Sequence, residues 1–307
     1  MRNSEFRTSL FALCACLLFG CCTSDKDIGM AADLKALDIR SASVTCTTRG
    51  VYDSGGTLGS GSIGVYAIGT GYTSANVQYN YGNSAWAVQT AGQTIYLSAN
   101  AATLFAYGPY SSTFNRTSQT LTAAPYDETK DLCTATVSGK SNTAATVSFT
   151  LAHAYARLSF VINKDNSYSG TCAVGDISIS GPAIYTTAVE DFSTSTLSGK
   201  TVGKVEFNPA ISSMTIGTPI TQSLLLIPAS TGEFTSATTV KFTVDDVVLT
   251  ATIPVAAPSA SSDSGINELK SGTNYTVNVC IKGTQLSVGS VQIKSWNSVT
   301  DPIDLFF

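Results

Sequence analysis

The sequence is poor in charge and carries no long apolar run beyond its N-terminus. Asp, Glu, Lys and Arg make up 12% of the 307 residues, and the formal net charge is −4. This share of charge is about half of the usual one. No basic stripe is present, which argues against nucleic acid as a partner. Outside the N-terminus no apolar stretch reaches about 18 residues, so no membrane-spanning helix is expected in the mature protein.

Residue types that carry catalysis are also scarce. His153 is the only histidine, and its place in an apolar strand pattern favours a structural role. No Gly-x-Ser-x-Gly elbow occurs, and acids such as Asp245 and Asp246 lie in turn-like segments. A Ser-His-Asp set or a carboxylate pair built from distant parts of the chain stays open. The sequence predicts a protein that is not an enzyme and that holds no metal or cofactor.

The N-terminus has the pattern of an export signal. Arg7 precedes an apolar run over residues 10–19, and Gly20 precedes Cys21. A short apolar run ending at a small residue is typical of a secretory signal peptide. The pattern resembles a bacterial lipobox, which predicts a signal peptide over residues 1–20 and a lipid on Cys21 that holds the protein on a membrane. A rival box at Cys16 leaves a shorter apolar run, and an ordinary signal peptide is the other alternative.

Four further cysteines are spread widely along the chain. Their spacing is unlike that of a metal site built on close pairs. Disulfides form outside the cytosol, and buried free cysteines behave as small apolar side chains. The sequence leaves both states open for Cys46, Cys133, Cys172 and Cys280.

The rest of the chain has the composition and punctuation of a β protein. Hydrophobic residues make up 43%, with 13 Tyr and 13 Phe, a mixture that fits pleated, half-buried surfaces. Short strand-like runs at residues 77–81, 85–88, 94–97 and 103–107, the first of them alternating, are separated by Gly, Ser and Asn turns. Each run predicts a strand.

Residues 145–163 indicate a break between two β units. Phe149 and Leu151 share one parity with His153, whereas Leu158 and Phe160 share the other. Because strand side chains alternate between faces, one regular strand cannot bury both sets on one side. Either a bulge lies between the two sets or one strand ends and another begins. We place the boundary here, which predicts a leader or propeptide over residues 21–49, an N-terminal unit over 50–153 and a C-terminal unit over 154–307.

The second half repeats the pattern of short strands. Residues 224–227 form a continuous apolar run, as in a strand buried on both faces. The alternating residues around Asp245-Asp246 predict a hairpin, although this pair is a weaker turn signal than Asp-Gly. Residues 275–281 alternate cleanly. The sequence therefore predicts an all-β protein of two tandem antiparallel β-sandwiches.

Several stretches, taken in order, resemble the fimbrillin family, the type V pilins. The similar segments are the lipobox, VSFTLAHAYARLSF at 147–160, LLLIP at 224–228, Leu269-x-x-Gly272-x-x-Tyr275, and Val291-x-Ile293-x-x-Trp296. The resemblance covers most of the mature chain and implies two transthyretin-like sandwiches. It also implies a structural subunit of a cell-surface pilus, whether stalk, tip or anchor, at the outer membrane and in the surface fimbrium.

The resemblance further implies how such a subunit assembles. A trypsin-like protease cuts after an arginine near the N-terminus, the first strand leaves, and a terminal strand of another subunit fills the groove. Arg49 is the first candidate for this cut and Arg40 the second. The candidate donor strand is residues 299–307, in which Ile303, Leu305 and Phe307 alternate. The implied partners are other pilin subunits, the outer membrane through the lipid anchor before processing, and a host or bacterial surface ligand.

A surface glycan-binding lipoprotein is the alternative interpretation of the same sequence. It predicts an exposed aromatic platform and needs no proteolysis. The aromatic residues that could form such a platform, if they do not fill the core, are Tyr79, Tyr81, Trp86, Tyr107 and Tyr110.

Overall fold

The computed structural model describes residues 33–44, 61–256, 265–283 and 285–296 of the chain. These residues form strands, turns and one short 3-10 helix, which confirms the all-β prediction. The elements in chain order are β1 (Lys35–Ala36), β2 (Asp38–Val44), β3 (Ser62–Ile68), β4 (Val77–Gly82), β5 (Ala85–Val88), β6 (Tyr96–Leu97), β7 (Ala102–Gly108), β8 (Gln119–Thr122), β9 (Ala124–Pro125), β10 (Cys133–Lys140), the 3-10 helix (Asn142–Ala144), β11 (Thr146–His153), β12 (Ala156–Lys164), β13 (Val174–Asp191), β14 (Thr196–Phe207), β15 (Ile220–Leu226), β16 (Thr239–Val244), β17 (Val247–Thr252), β18 (Thr273–Lys282) and β19 (Gln285–Ser295).

The first half builds one strongly curved sheet. Seven strands lie in the order β2-β11-β10-β7-β3-β4-β5, and the short β1 and β6 form a separate pair. In β11, buried and exposed residues alternate without a break, as expected for a strand with one face on the core. The two ends of the sheet approach each other, with Cα atoms of β2 and β5 within 8 Å. Most of the sheet's buried side chains belong to the main apolar core, which also contains residues of the second half.

The second half builds two five-stranded assemblies. One sheet has the order β19-β18-β12-β15-β9, and the other is β14-β13-β16-β17 with β8 paired to β13. Most pairs are antiparallel as predicted, but β2 with β11 and β12 with β18 are parallel. A parallel pair needs a long connection, which the alternation of single strands does not reveal.

The chain changes sheet where the parity of its apolar residues changes. β11 ends at His153 in the seven-stranded sheet, and β12 begins at Ala156 in a five-stranded sheet. The described residues thus follow the second of the two alternatives, in which one strand ends and another begins. β8 and β9 precede this point but pair with β13 and β15 of the second half. The division into units at residue 153 stays a prediction.

The predicted hairpin around Asp245-Asp246 is present, since Val244 lies opposite Val247. Both turn residues have positive φ, 44° and 67°, the conformation that usually requires Asn or Gly. The Asp245 carboxylate accepts hydrogen bonds from the Tyr168 hydroxyl at 2.7 Å and from the N–H groups of Cys172 and Ala173 at 2.9 and 2.8 Å. These hydrogen bonds lower the pKa of Asp245, and the bond from Tyr168 has the largest effect. They compensate for an unfavourable turn conformation.

A second aromatic cluster lies against the seven-stranded sheet, apart from the main core. Tyr107 stacks on Phe114 with ring centroids 3.7 Å apart, and Tyr66 and Phe105 complete the buried group. The Tyr107 hydroxyl donates to the Ser111 carbonyl at 2.7 Å. Its ring lies directly over Gly64, so that a Cβ added there would overlap the ring. Glycine at 64 is therefore required by close packing rather than by backbone conformation.

We predict that Gly64→Ala lowers the free energy of unfolding by about 1–3 kcal/mol, because the added methyl forces the Tyr107 ring out of its stack. Gly82→Ala is the matched control, since nothing lies within 4 Å of a Cβ at that position in β4. Its effect should stay within roughly 0.5 kcal/mol. Urea unfolding followed by aromatic fluorescence measures both, and equal losses in the two variants would contradict the packing argument.

Candidate functional site

The first described segment of the chain, residues 33–44, lies along an edge of the seven-stranded sheet. We call it the N-terminal strand segment. Its β1 pairs with β6, and its β2 runs parallel to β11, with Ile39 opposite Val147 and Val44 opposite Leu151. The Thr146 hydroxyl donates to Asp38 at 3.2 Å across 108 residues of sequence. The segment is thus held by contacts with distant parts of the chain.

One face of the N-terminal strand segment is buried in the main core. Leu37, Ile39, Ala42 and Val44 are 6%, 5%, 0% and 4% exposed. The first two residues have odd numbers and the last two even ones, so the buried parity changes within β2. A β-bulge accounts for this change, because one extra residue shifts the side chains that follow to the other parity.

Arg40 is the extra residue of this bulge. Ile39 lies opposite Val147 and Ser41 lies opposite the next residue, Ser148, so Arg40 has no opposite residue in the ladder. Its side chain is exposed. Arg40, the second candidate for proteolytic processing, therefore lies within a paired strand. Its side chain is accessible to a protease, but its backbone is held in the strand and does not form an open loop.

Hydrogen bonds tie β2 to one side only. Within the described residues β2 is the end strand of its sheet and pairs with β11 alone. Just before β2, the Leu37 N–H donates to the Ile95 carbonyl at 2.8 Å, and at the first residue of β2 the Asp38 N–H donates to the Ala145 carbonyl at 3.0 Å. A strand held by one ladder and one apolar face is a replaceable part of a sheet, because another extended segment could make the same bonds.

Several predicted site residues lie outside the described residues. These are the lipidation site Cys21, the first processing candidate Arg49, and the donor-strand residues Ile303, Leu305 and Phe307. Their roles stay predictions.

His153 lies in the core among polar partners. Its Nδ1 is 2.8 Å from Asp131 Oδ2 and 3.3 Å from Cys133 Sγ, and all three residues are at most 3% exposed. Trp296 stacks on the imidazole with ring centroids 3.8 Å apart and an interplanar angle of 7°. A Cys-His-Asp proton relay uses opposite ring nitrogens, whereas here both contacts share Nδ1. The arrangement is a buried polar cluster and lacks the geometry of a nucleophilic triad.

Trp296 also joins the His153 cluster to a cationic stack. The Arg157 guanidinium carbon lies 4.5 Å from the ring centroid of Tyr126 and 5.9 Å from that of Trp296. Arg157 Nη2 donates to Ser223 Oγ at 3.2 Å. Cation–π contacts of this kind gain strength when they are desolvated. Trp296, which follows β19, is thus packed against His153 at the end of β11 and Arg157 near the start of β12.

The five aromatic residues considered for a glycan platform do not form one exposed surface. Tyr79 and Tyr107 are 3% and 0% exposed. Tyr81 and Trp86 form a partly exposed pair across β4 and β5, with ring centroids 5.3 Å apart, and Tyr110 packs beside Tyr107. Core filling accounts for the two buried tyrosines, and the described structure gives the glycan-binding alternative no specific support.

Two cysteines in the described part of the chain, Cys172 and Cys280, are free thiols. Cys172 is buried, as is Cys133, and Cys280 is half-buried. Burial raises the pKa of the Cys172 and Cys280 thiols, which keeps them protonated and unreactive. Cys46 lies outside the described residues.

A half-buried carboxyl lies where β8 crosses to the second half. Glu190 in β13 lies opposite Gln119 of β8. The neighbouring Thr122 N–H donates to the Tyr155 hydroxyl at 3.2 Å and fixes β8 there. Burial raises the pKa of Glu190 to about 7. In the folded protein the Glu190 carboxyl is therefore mostly neutral below about pH 7.

Proteins of known structure share this arrangement of sheets. A proposed cell adhesion protein from Bacteroides uniformis is 22% identical, with 86% of this chain and 99% of that chain covered and a TM-score of 0.62. A second, from Bacteroides ovatus, is 17% identical, with 87% and 99% covered and a TM-score of 0.64. A fimbrial protein from Bacteroides vulgatus is 14% identical, with 85% and 99% covered and a TM-score of 0.52. These likenesses show the fold.

The sequence itself identifies the family. A fimbrillin-like family model matches residues 48–296, most of the chain, and the protein belongs to the fimbrillin-like family. Membership indicates a structural protein of the pilus-subunit type at the cell surface rather than an enzyme. No curated protein matches the chain. Across the described residues, no helix has the length and apolar character needed to cross a membrane.

We predict that Ile39→Ala lowers the free energy of unfolding by about 2–4 kcal/mol, because it removes a buried side chain from the N-terminal strand segment. Its neighbour gives a matched control: Arg40→Ala should change stability by less than roughly 0.5 kcal/mol, because Arg40 is exposed. Chemical denaturation of the full chain measures both. A larger loss for Arg40→Ala than for Ile39→Ala would contradict the assigned faces.

We also predict that stability falls between about pH 5 and pH 7.5 because of Glu190. Its pKa is about 7 when folded and near its ordinary value of 4.5 when unfolded, so between these values the folded state holds a proton that the unfolded state has lost. Raising the pH therefore favours unfolding by about 1–2 kcal/mol, a figure reduced for solvent screening.

Glu190→Gln should remove this slope from a series of urea unfolding curves measured across the same pH range. Glu206→Gln removes the same charge from an exposed position in the adjacent β14 and should leave the slope in place. An unchanged slope in Glu190→Gln would show that another group titrates.

Proposed function

We propose that the chain is a structural subunit of a cell-surface pilus, exported as a lipoprotein and assembled by strand exchange after proteolytic processing. The observation that carries the proposal is the N-terminal strand segment, which buries four apolar residues while pairing with the sheet along one ladder. Family membership supports the pilus role. The lipobox at Cys21 supports delivery to the outer membrane through a lipid anchor.

Processing is proposed at Arg49, five residues after the end of β2 at Val44. A cut there would separate the N-terminal strand segment from the rest of the chain without breaking any described strand. Arg40 is the weaker candidate because it lies inside β2, in the ladder with β11. The family match begins at residue 48, which agrees with a removable segment before it.

The energetic argument rests on the groove that the segment leaves. Leu37, Ile39 and Val44 are each at most 6% exposed. Burying three such side chains contributes roughly 5–9 kcal/mol, comparable to the whole stability of a typical domain, about 5–15 kcal/mol. An empty groove is therefore costly, and an extended segment from another subunit that fills it recovers both the apolar burial and the hydrogen bonds along β11.

The proposed donor is residues 299–307 of a neighbouring subunit. Ile303, Leu305 and Phe307 alternate, as side chains on one face of a strand do. Pro302 stands at the start of the run, where its missing N–H does least harm to a ladder. The proposed partners are thus other pilin subunits, with a host or bacterial surface ligand as the target of the assembled fimbrium.

Limited trypsin digestion of the full chain carrying Cys21→Ser tests the proposal, with N-terminal sequencing and an unboiled gel as readouts. We expect one cut after Arg49, followed by a ladder of detergent-resistant oligomers. Arg49→Ala should prevent both. Arg40→Ala, the matched control, should behave like the parent. A chain that ends at residue 298 should be cut but should form no detergent-resistant oligomers.

Other outcomes would overturn defined parts of the proposal. A cut after Arg40 would move the processing site into β2. A ladder that persists in the chain ending at residue 298 would exclude 299–307 as donor. A cut product that stays monomeric would exclude a polymerising stalk subunit and favour a tip or an anchor.

A further inference from the structure

Three donor atoms of different kinds meet in the core at the end of β11. A carboxylate oxygen of Asp131, the thiol sulfur of Cys133 and Nδ1 of His153 all lie within 4.8 Å of one another, and the three residues are 1%, 0% and 3% exposed. We propose that these residues form a binding site for one divalent metal ion of the zinc class. This inference goes beyond the proposed pilus role and does not depend on it.

The fold brings His153 to Asp131 and Cys133 across a separation of 20 residues from Cys133. Cys133 and His153 are direct opposite partners in the antiparallel pair of β10 and β11. Asp131 lies just before β10, two residues ahead of Cys133, and its carboxylate reaches His153 at 2.8 Å. Trp296 covers one face of the imidazole at 3.8 Å and fixes the plane of the ring. The Nδ1 atom is thereby directed at both partners.

The two distances from His153 Nδ1 fit a site that needs only a small expansion there, and the third distance, between Asp131 and Cys133, is at most 4.8 Å. Zinc bonds of about 2.0–2.1 Å to N or O and about 2.3 Å to S place tetrahedral ligands roughly 3.3–3.6 Å apart. In the protein Nδ1 lies 2.8 Å from Asp131 Oδ2 and 3.3 Å from Cys133 Sγ. Metal binding would therefore part these atoms by less than about 1 Å. Three protein ligands leave the fourth tetrahedral position to a water molecule.

The charges of the three ligands also match a divalent ion. On binding, the thiol proton of Cys133 passes to solvent, and the imidazole keeps one proton, on Nε2, so that Nδ1 can donate its lone pair. One thiolate and one carboxylate then neutralise a charge of +2. Net neutrality matters here because unbalanced charge in the interior carries a large desolvation cost.

A buried oxygen of Asp131 gives separate support. Within the part of the chain that the structure describes, Oδ1 of Asp131 is buried and has no hydrogen-bond partner. A buried carboxylate oxygen without a donor is costly. A cation held at the same carboxylate reduces this cost, because its charge is felt by both oxygens.

Titration with Co²⁺, a spectroscopic substitute for Zn²⁺, tests the proposal on the full chain. Cysteines that precede β3 are replaced by serine so that they cannot bind the probe: Cys14, Cys16, Cys21, Cys22 and Cys46. We expect one equivalent to bind with the charge-transfer absorption of a cobalt–thiolate bond, and Zn²⁺ to displace it. Bound Zn²⁺ should also raise the Tm, and a chelator should reverse the rise.

Cys133→Ser should abolish the thiolate absorption, whereas Cys172→Ser, another buried cysteine that is not in the cluster, should retain it. His153→Gln keeps the thiol and should weaken binding at least tenfold. Circular dichroism checks that each variant is folded. Absence of the absorption in the parent, or its persistence in Cys133→Ser, would overturn the proposal and leave the cluster as an Asp–His hydrogen-bonded pair. The parent titration decides the question even if a variant fails to fold.

Discussion

The edge of β11 that faces β2 must be covered, and the architecture of the first half depends on how this is done. β11 presents a row of backbone donors and acceptors on that side, next to the core side chains Phe149 and Leu151. Uncovered, such an edge pairs with any extended chain. The covering strand runs parallel to β11, so it cannot come from a hairpin with it. It comes from the N-terminal strand segment, more than 100 residues away in sequence.

Both ends of the described chain converge on β11. The N-terminal strand segment lies along its edge, and Trp296, which follows β19, stacks on His153 at its last position. Trp296 is also tied to the turn before β18, because its N–H donates to the Gly272 carbonyl at 2.9 Å. β2 and Trp296 thus both contact β11, the strand after which the chain passes from one sheet to the next. In a strand-exchange assembly, the site that receives a strand and the end that provides one would share this junction.

Strands with a regular alternation or a continuous apolar run could be predicted from the sequence, whereas the irregular β2 and the short β8 and β9 were missed. The predicted runs at 77–81, 103–107, 224–227 and 275–281 correspond to β4, β7, the end of β15 and β18. β2 lies inside the predicted leader. Its strand was not predicted because the bulge at Arg40 breaks the alternation of its buried residues into two pairs of different parity. β8 and β9 are only four and two residues long, and their strand conformation depends on pairing with β13 and β15, which no local pattern encodes.

The polar cluster was predictable in part. The strand pattern placed His153 in the core, but proximity to Asp131 and Cys133 depends on the register of β10 with β11. The matching parity of Asp131 with Cys133, and of Leu151 with His153, was the available signal. It becomes informative only once the two strands are known to pair. Wide spacing, which argued against a metal site made of close cysteine pairs, does not exclude ligands that meet across a ladder.

The bulge at Arg40 constrains what could replace the N-terminal strand segment. Leu37 and Ile39 enter the core on one parity, and Ala42 and Val44 enter it on the other. A slip of one residue turns every side chain of a strand to the opposite face. A donor whose apolar residues alternate without a break, as Ile303, Leu305 and Phe307 do, matches one side of the bulge. To fill the groove on both sides, a replacement must carry a bulge of its own at the position opposite Val147 and Ser148. A regular donor therefore covers part of the groove, and its position along β11 is set by the side of the bulge on which it pairs.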